Sequence, residues 1–327
     1  MINIKDKNIL FFGPKTFNYE SEIKVSLEDK GAIVYYLNDK PFNNIFLIAL
    51  LRIYPKLIWF LCDRSYKKQL IKLREINFDI IFVIKGEGLS VSFLNYLKNE
   101  YVNAKFILYL WDSIKNIREI NSKTIYFDKI YSFDPIDCKG NDNFVYRPLF
   151  FLNKYLKREK KGSAFKIFFI GTLNGDRLSI VKNVLQNLCG GINFDYWLYV
   201  RSDVEFFLIK FFKSKNINLD RFIRVPLNAN EIYNKFEQST AILDIEHRNQ
   251  NGLTMRTFEV IASGKKLITT NQSIVNEPFF NPLNILIIDR DKPMIPTSFL
   301  EYQNIEISTK FINKYSLDGW INDIFQN

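Results

Sequence analysis

The chain has 327 residues and a formal net charge of +10, with 47% apolar and 16% aromatic residues. This length exceeds one ordinary hydrophobic core, so two domains are expected, and the apolar content excludes a disordered protein. The basic excess indicates an anionic partner such as nucleotide phosphate or lipid headgroups, or it reflects compositional drift in a chain rich in Lys, Ile, Asn and Phe.

The first half of the chain alternates short apolar runs with longer segments of helical period. The runs predict strands at Asn8–Phe12, Ala32–Tyr36, Asp79–Ile84, Lys105–Leu110 and Lys129–Phe133. They are continuous rather than alternating, as in strands that are buried on both faces. The pattern therefore predicts an α/β domain with a parallel sheet covered by helices.

The most apolar stretch, residues 41–62, is interrupted by Arg52, Pro55 and Lys56. Neither part reaches the roughly 20 apolar residues that a membrane span requires, so we expect no span. The Arg52–Arg74 region contains seven basic residues and a single acid. Two interpretations remain: an interfacial helix resting on an anionic membrane surface, or a buried helix followed by a solvated basic helix.

A second series of strands is predicted at Lys166–Ile170, Tyr196–Val200, Ala241–Ile245, Lys266–Thr269 and Ile285–Ile288. A charged segment ending in Gly162 and Ser163 precedes it and predicts a linker. We therefore predict two Rossmann-like α/β domains, residues 1–158 and 159–304, that face each other across a cleft. Residues 305–327 are predicted to form a helical segment that packs back on the first domain.

A strand-loop-helix-strand unit lies between Asp244 and Asn271. Its helix is predicted to start near Gly252 or Leu253 and to end at Ser263. The amides of Gly252, Leu253 and Thr254 would receive phosphate oxygens, because a helix N-terminus favours anions.

Two charged side chains follow on the same helix. Arg256 would add a bidentate cation to a diphosphate. Glu259 lies about two turns after Gly252, so its carboxylate would accept both hydroxyls of a ribose. The alternative is a purely structural helix.

The segment NGLTMRTFEVIASGKKLITTN, which begins at Asn251, resembles the nucleotide-sugar helix of glycosyltransferases with the GT-B fold. Many retaining members carry Glu-x7-Glu before a turn into a strand. Glu259 matches the second Glu, Ala262–Ile268 matches the turn and strand, and Asn251 stands in place of the first Glu. The segment is most similar to bacterial polysaccharide and lipopolysaccharide transferases related to the spore-coat maturation (CgeB-like) proteins. The resemblance implies a nucleotide-sugar domain at residues 159–304 and an acceptor-side domain at 1–158.

A Gly-containing turn follows the first strand of the second half. Its residues Gly171 and Thr172 would bring backbone close to phosphate, and Arg177 would point a guanidinium at it. In GT-B enzymes such a Gly and basic residue commonly border the donor diphosphate, which the resemblance carries to Gly171 and Arg177. The alternative is an ordinary tight turn with a surface Arg.

The acceptor half offers two loops that follow strands. If the reaction inverts the anomeric centre, Asp112 or Glu87 would serve as the general base. If it retains configuration, Arg256 and the donor phosphate would stabilise the leaving group. His247, the single histidine, would meet a donor or acceptor hydroxyl, although a structural role is the alternative.

These observations predict a cytoplasmic glycosyltransferase that uses a UDP- or GDP-type donor and a saccharide or lipid-linked acceptor in cell-surface polysaccharide synthesis. Three dispersed cysteines fit a reducing compartment, and a single histidine excludes a His-rich metal site, so we expect no metal or other cofactor. Nucleic acid is not an expected partner. The alternatives are a nucleotide-sugar epimerase or hydrolase of the same fold, and a non-catalytic binding subunit.

Overall fold

The computed structural model describes residues 4–156, 166–188, 190–200, 206–207, 218–248 and 250–326. The chain divides into two compact units. The first comprises Met1–Leu149 together with Leu317–Asn327, and the second comprises Phe150–Ser316. The predicted boundary at residue 158 and the linker glycine Gly162 lie outside the described residues.

The first unit contains a parallel sheet whose described strands occur in the order β2-β1-β3-β4-β5-β6. The strands are β1 Asn8–Gly13, β2 Ile33–Asn38, β3 Ile80–Ile84, β4 Lys105–Leu110, β5 Lys129–Ser132 and β6 Phe144–Tyr146. In the register, Ile9 of β1 lies opposite Ile80 of β3. Every residue of β3 is buried, because helices cover both faces of a parallel sheet.

Helices and short 3₁₀ turns surround this first sheet. They are α1 Tyr19–Asp29, α2 Ile45–Ile53, α3 Pro55–Leu70, 3₁₀ Ile71–Leu73, α4 Val91–Glu100, 3₁₀ Ile114–Asn116, 3₁₀ Thr124–Tyr126, α5 Pro135–Lys139 and α11 Leu317–Gln326. The Asn44 side chain caps α2, and α3 starts at Pro55, where a proline satisfies the first helical position. None of the described helices is both long enough and apolar enough to cross a bilayer.

Helix α11 is part of the first unit although it follows the whole second unit in sequence. Its Trp320 is fully buried, and the ring centroid lies 4.7 Å from that of Tyr109. The hydroxyl of Tyr131 donates to the carbonyl of Asp323 at 3.2 Å. Arg147 forms an ion pair with Asp323 at 2.7 Å. These contacts hold α11 against the sheet that the earlier residues form.

The second unit contains a parallel sheet in the order β12-β11-β10-β7-β8-β9. Its described strands are β7 Lys166–Thr172, β8 Asn193–Tyr199, β9 Phe222–Ile223, β10 Ala241–Asp244, β11 Lys266–Thr269 and β12 Ile285–Ile287. Its described helices are 3₁₀ Asn153–Tyr155, α6 Arg177–Asn187, 3₁₀ Leu219–Arg221, α7 Ala229–Glu237, α8 Met255–Ala262, 3₁₀ Gln272–Asn276, α9 Thr297–Glu301 and α10 Thr309–Tyr315.

The prediction of an α/β protein with two parallel sheets is confirmed, and each predicted strand is present with bounds shifted by at most a few residues. The sequence analysis missed β6 and β9, which are short strands at the sheet edges. The helical segment expected after residue 305 consists of two helices, α10 and α11, because Ser316 between them is extended.

Candidate functional site

The carboxyl ends of β7, β10 and β11 meet at one edge of the second sheet. These strands are neighbours and run parallel, with Ala241 opposite both Ile167 and Lys266. The residues that follow Thr172, Asp244 and Thr269 therefore share this edge. Ligands of open α/β sheets bind at such carboxyl edges.

Asp244, the last residue of β10, fixes the start of α8. Its Oδ2 accepts hydrogen bonds from the hydroxyls of Thr254 at 2.7 Å and Thr257 at 2.8 Å. Thr254 is also the N-cap residue, and its side chain accepts from the Thr257 amide. Hydroxyl caps of this kind satisfy amides that have no partner within the helix. The helix predicted to start at Gly252 or Leu253 thus begins at Met255. The hydrogen bonds to Asp244 determine this start.

The turn that leads into α8 is held from the opposite side. Asn271 Nδ2 donates to the carbonyls of Asn251 and Gly252, and the Ser273 hydroxyl donates to the carbonyl of Asn251 at 2.5 Å. Gly252 and Leu253 are buried. The predicted phosphate-contacting turn is therefore a fixed part of the edge, and its contact with a phosphate stays a prediction.

Arg256 and Glu259 lie together, as their spacing on one helix predicts. Arg256 Nη1 is 2.9 Å from Glu259 Oε2, and the guanidinium lies 5.2 Å from the centre of the Phe236 ring. Glu259 is only 1% exposed. Burial raises the pKa of the neighbouring Tyr155, whose hydroxyl also bonds to this pair. The pair thus packs among aromatic side chains, and a ribose contact by Glu259 stays a prediction.

Arg177 is fixed between two strand ends. Its Nε donates to the carbonyl of Ile245 at 2.9 Å, and its Nη1 donates to the carbonyl of Thr172 at 3.0 Å. A Cβ at Gly171 would lie 2.9 Å from the ring of Phe169, a close contact within the same strand. The structure places a guanidinium at the carboxyl edge, whereas the phosphate contacts of Gly171 and Thr172 stay predictions.

An ionic network that the sequence analysis missed joins the same edge. Arg290 makes a bidentate ion pair with Asp176, at 2.9 and 3.1 Å, and it also pairs with Glu246. Glu246 lies just after β10 and is buried. Burial raises its pKa, although the Thr270 hydroxyl and Arg290 oppose the change. The sequence could have indicated this network, because Glu246, Thr270 and Arg290 each follow a strand of this sheet.

His247 lies exposed in the loop after β10, and its carbonyl accepts from the Gln250 amide at 2.8 Å. The expectation of no metal overlooks an Asp-x-Asp sequence at Asp289–Asp291. There the Asp289 carboxylate closes a turn by accepting the amides of Asp291 and Lys292. In the ranges described, no group of three or more His, Cys, Asp or Glu side chains is arranged to hold a metal ion.

In the first unit, the loop after β3 is clamped from several sides. The buried Asp39 carboxylate accepts the amides of Glu87 and Gly88 at 3.2 and 3.1 Å. Trp59 Nε1 donates to the Glu87 carbonyl at 3.1 Å. The ammonium of Lys123 donates to the Gly86 carbonyl at 2.7 Å. These hydrogen bonds hold the backbone of the loop that carries Glu87.

The candidate base Glu87 is held between two cations. Its carboxylate pairs with Lys40 and lies 3.5 Å from the ammonium of Lys85. Burial raises the pKa of Glu87, but Lys85 and Lys40 lower it more, to about 2. Lys85 itself has a φ of 68°, a left-handed conformation that is uncommon for a non-glycine residue. A carboxylate with such a low pKa is a weak general base near neutral pH.

The other candidate base, Asp112, follows β4 and is more accessible. Its Oδ2 lies 3.0 Å from the same Lys85 ammonium, and its Oδ1 accepts from Asn116 at 3.0 Å. The Asp112 side chain is 30% exposed, against 12% for Glu87. The structure thus links the two predicted carboxylates through Lys85. The sequence analysis missed Lys85, Lys40 and Asp39, although all three lie at strand ends.

Solved structures match the fold of this chain over nearly its whole length. A lipopolysaccharide outer core galactosyltransferase, WaaB, aligns with a TM-score of 0.53 and 14% identity, covering 98% of this chain and 99% of its own. The UDP-forming α,α-trehalose-phosphate synthase from Burkholderia xenovorans aligns at 0.63 and 11%, covering 97% and 99%. Anabaena HepE, solved with UDP and glucose, aligns at 0.53 and 12%, covering 98% and 95%.

The chain has the GT-B fold. At these identities the likeness establishes the GT-B fold alone. No protein-family model matches the chain, and no curated protein matches its sequence.

Proposed function

We propose that this chain is a glycosyltransferase that moves a sugar from a UDP- or GDP-type donor to a saccharide or lipid-linked acceptor in bacterial cell-surface polysaccharide synthesis. The segment that begins at Asn251 supports this, because it resembles donor-binding helices and occurs in a chain with the GT-B fold. Solved proteins of similar fold include a galactosyltransferase and a protein bound to UDP and glucose. The dispersed cysteines favour a cytoplasmic location.

The main observation behind the proposal is that internal hydrogen bonds hold the carboxyl edge of the second sheet in place. Asp244 fixes the start of α8 and Arg177 is locked at the end of β7, so a helix N-terminus and a guanidinium are in place before any ligand binds. Groups that are fixed in advance lose little entropy on binding. We therefore assign the donor diphosphate to this edge, with Arg177 and the turn at Gly252–Thr254 as its contacts.

Arg256 and Glu259 have a supporting role in this proposal. Because Glu259 is buried and already paired, it holds Arg256 in place. A ribose would meet Glu259 only if the donor displaced Arg256 from it. Departure of the diphosphate would then be stabilised by Arg177 and the helix start, since fixed dipoles and cations favour developing negative charge.

For an inverting reaction we propose Asp112 as the general base in preference to Glu87. Asp112 is more accessible, while both oxygens of Glu87 lie near lysine ammonium groups. Replacement of a general base typically costs about 10²- to 10⁴-fold in rate. Asp112→Asn should therefore reduce transfer much more than the conservative exchange Glu87→Gln.

Nucleotide binding gives the direct test. UDP, GDP and their sugar conjugates would be screened by thermal shift and then by calorimetry, because a ligand bound only by the folded state raises the melting temperature. The variant Arg177→Met should weaken donor binding by about tenfold or more, the cost of a lost charge-assisted contact. Arg221→Met is the matched control, because Arg221 pairs at 2.6 Å with Asp195, which lies near the amino end of β8.

Two outcomes would count against this function. Nucleotide binding that is equal in Arg177→Met and in the wild type would show that the donor lies elsewhere. Rapid donor turnover that is unaffected by any added acceptor would exclude transfer and favour a hydrolase or epimerase of the same fold.

A further inference from the structure

Helices α2 and α3 expose large apolar side chains to solvent. Phe46, Leu57 and Phe60 are 84%, 62% and 65% exposed, and Ile53 and Tyr54 between them are also exposed. Burying such side chains is favourable because it removes apolar surface from water. Several exposed apolar side chains in one stretch of chain therefore indicate a surface that a partner covers.

The exposed side chains of α3 form one stripe. Ile58, Cys62, Tyr66 and Leu70 recur every fourth residue and are buried, so they define the inner face of the helix. At 3.6 residues per turn, the opposite arc of about 120° holds the outer residues. These are Lys56, Leu57, Phe60, Arg64, Lys67, Lys68 and, in the following turn, Ile71, all of which are exposed. We call this set the outer face of α3.

The outer face contains apolar and basic residues and no acid. The single acid of this region, Asp63, is directed toward helix α4, where its Oδ2 accepts from the Ser90 hydroxyl at 2.7 Å. Lys56 pairs with Glu119 at 3.1 Å, and Lys67 lies over the ring of Tyr96 at 5.1 Å. Leu57 and Phe60 lie in the first two turns of the arc after Lys56, and Arg64, Lys67 and Lys68 lie in the later turns before Ile71.

We propose that the outer face of α3 docks on an anionic lipid bilayer. Leu57 and Phe60 would enter the boundary between headgroups and acyl chains, while Arg64 and Lys68 would contact anionic headgroups. Long basic side chains suit this position because their stems are apolar and their charged ends reach water. A protein partner fits less well, since Lys is depleted in protein–protein interfaces.

The inner face of the same helix contacts the loop that presents Glu87. Trp59 donates to the Glu87 carbonyl, and the Tyr66 hydroxyl donates to the Asp39 carbonyl at 2.7 Å. A helix with its side chains is about 10 Å across, so the headgroup layer would lie about that far from this loop. This consequence rests on the proposed function: a membrane-anchored acceptor would bring its sugar close to the candidate base.

Vesicle co-sedimentation tests the docking. The full chain should bind vesicles of phosphatidylglycerol and phosphatidylcholine, should bind pure phosphatidylcholine far more weakly, and should be released by salt. Each lost base should weaken binding about fivefold, the equivalent of about 1 kcal/mol. Changing Arg64, Lys67 and Lys68 together to Gln should therefore weaken it by about a hundredfold, and Leu57→Ser with Phe60→Ser should also reduce it strongly.

The matched control replaces exposed apolar residues elsewhere in the first unit. Val102 and Ile125 are 76% and 82% exposed, and changing both to Ser should leave vesicle binding unchanged. Equal binding to charged and neutral vesicles, no binding to either, or equal losses in the control would overturn the proposal. So would concentration-dependent self-association that Phe60→Ser abolishes, because it would show a second copy as the occupant. Donor binding is measured on the same variants, because it tests the proposed function independently of vesicle binding. A failure of one proposal is then distinguishable from a failure of the other.

Discussion

The buried ammonium of Lys123 provides a quantitative test of the clamp around the Glu87 loop. Lys123 is only 1% exposed, and its Nζ donates to the Gly86 carbonyl and lies 4.7 Å from the centre of the Trp59 ring. Burial lowers the pKa of Lys123 from the ordinary 10.5 to about 8, although Asp39 and Glu87 act in the opposite direction. The folded protein therefore holds this proton less tightly than the unfolded chain does.

The sign of the pH dependence follows from proton binding. Between pH 8 and 10.5 the unfolded chain keeps the Lys123 proton that the folded chain has released, so stability contributed by Lys123 rises with pH across this window. The two pKa values of Lys123, in the unfolded and folded states, differ by about 2.5 units, which corresponds to roughly 3 kcal/mol of unfolding free energy at ~1.4 kcal/mol per unit. Below pH 8 both states carry the charge, and the folded state bears its full burial cost.

The perturbation is Lys123→Met, which keeps an unbranched apolar stem and removes the charge. Urea unfolding would be followed by tryptophan fluorescence, because Trp59, Trp111 and Trp320 belong to the first unit. The difference in unfolding free energy between wild type and variant should change by up to roughly 3 kcal/mol, in favour of the wild type, from pH 8 to 10.5. The exposed Lys139→Met serves as the control and should run parallel to the wild type.

Parallel curves for wild type and Lys123→Met throughout this window would refute the reasoning. They would mean that Lys123 keeps an ordinary lysine pKa and that the ammonium is hydrated. The conformation of the loop would then have to be attributed to its other partners: Asp39, which accepts the amides of Glu87 and Gly88, and Trp59, which donates to the Glu87 carbonyl.

Two further substitutions test the packing of the Glu87 loop in the first unit and the start of α8 in the second. Gly88→Ala would place a Cβ 1.9 Å from the Asp39 carbonyl oxygen, so the backbone must shift. The free energy of unfolding should therefore fall by about 3 kcal/mol or more in the same urea titration. Gly140→Ala is the control and should be neutral, because a Cβ there would have nothing within 4 Å. Thr257→Val removes a hydroxyl that donates to the buried Asp244 but keeps the methyl group, and it should cost about 1.5–3 kcal/mol. Thr257→Ser keeps the hydrogen bond and should cost less. No loss in Thr257→Val together with a loss in Thr257→Ser would show that the methyl group, not the hydroxyl, matters.

Much of the fold is predictable because both sheets are parallel and covered. Strands such as Lys105–Leu110 and Lys266–Thr269 have the bounds that their apolar runs predict. The short strand Phe144–Tyr146 escapes prediction, since it lies at a sheet edge and its central Val145 is exposed. Its β structure comes from pairing with β5, which a local pattern does not reveal.

The location of the candidate site stays a prediction, and only part of its side-chain packing could be expected from the sequence. Spacing along one helix correctly places Arg256 beside Glu259. Their burial depends on Tyr155 and Phe236, which come from other elements, so no local pattern could reveal it. The same holds for networks across the sheet edge: Asp176 and Arg290 meet at 2.9 Å although they lie 114 residues apart in the sequence.

The position of helix α11 has a consequence for synthesis on the ribosome. Trp320 fills a place against Tyr109 in the first unit, yet the chain must be extended through the second unit before this tryptophan emerges. Until then the nascent first unit exposes the apolar surface that α11 covers, which makes it prone to aggregation and to capture by chaperones. The surface would be covered only when residues 317–326 have emerged and docked, so the first unit would be completed after the second unit has been synthesised.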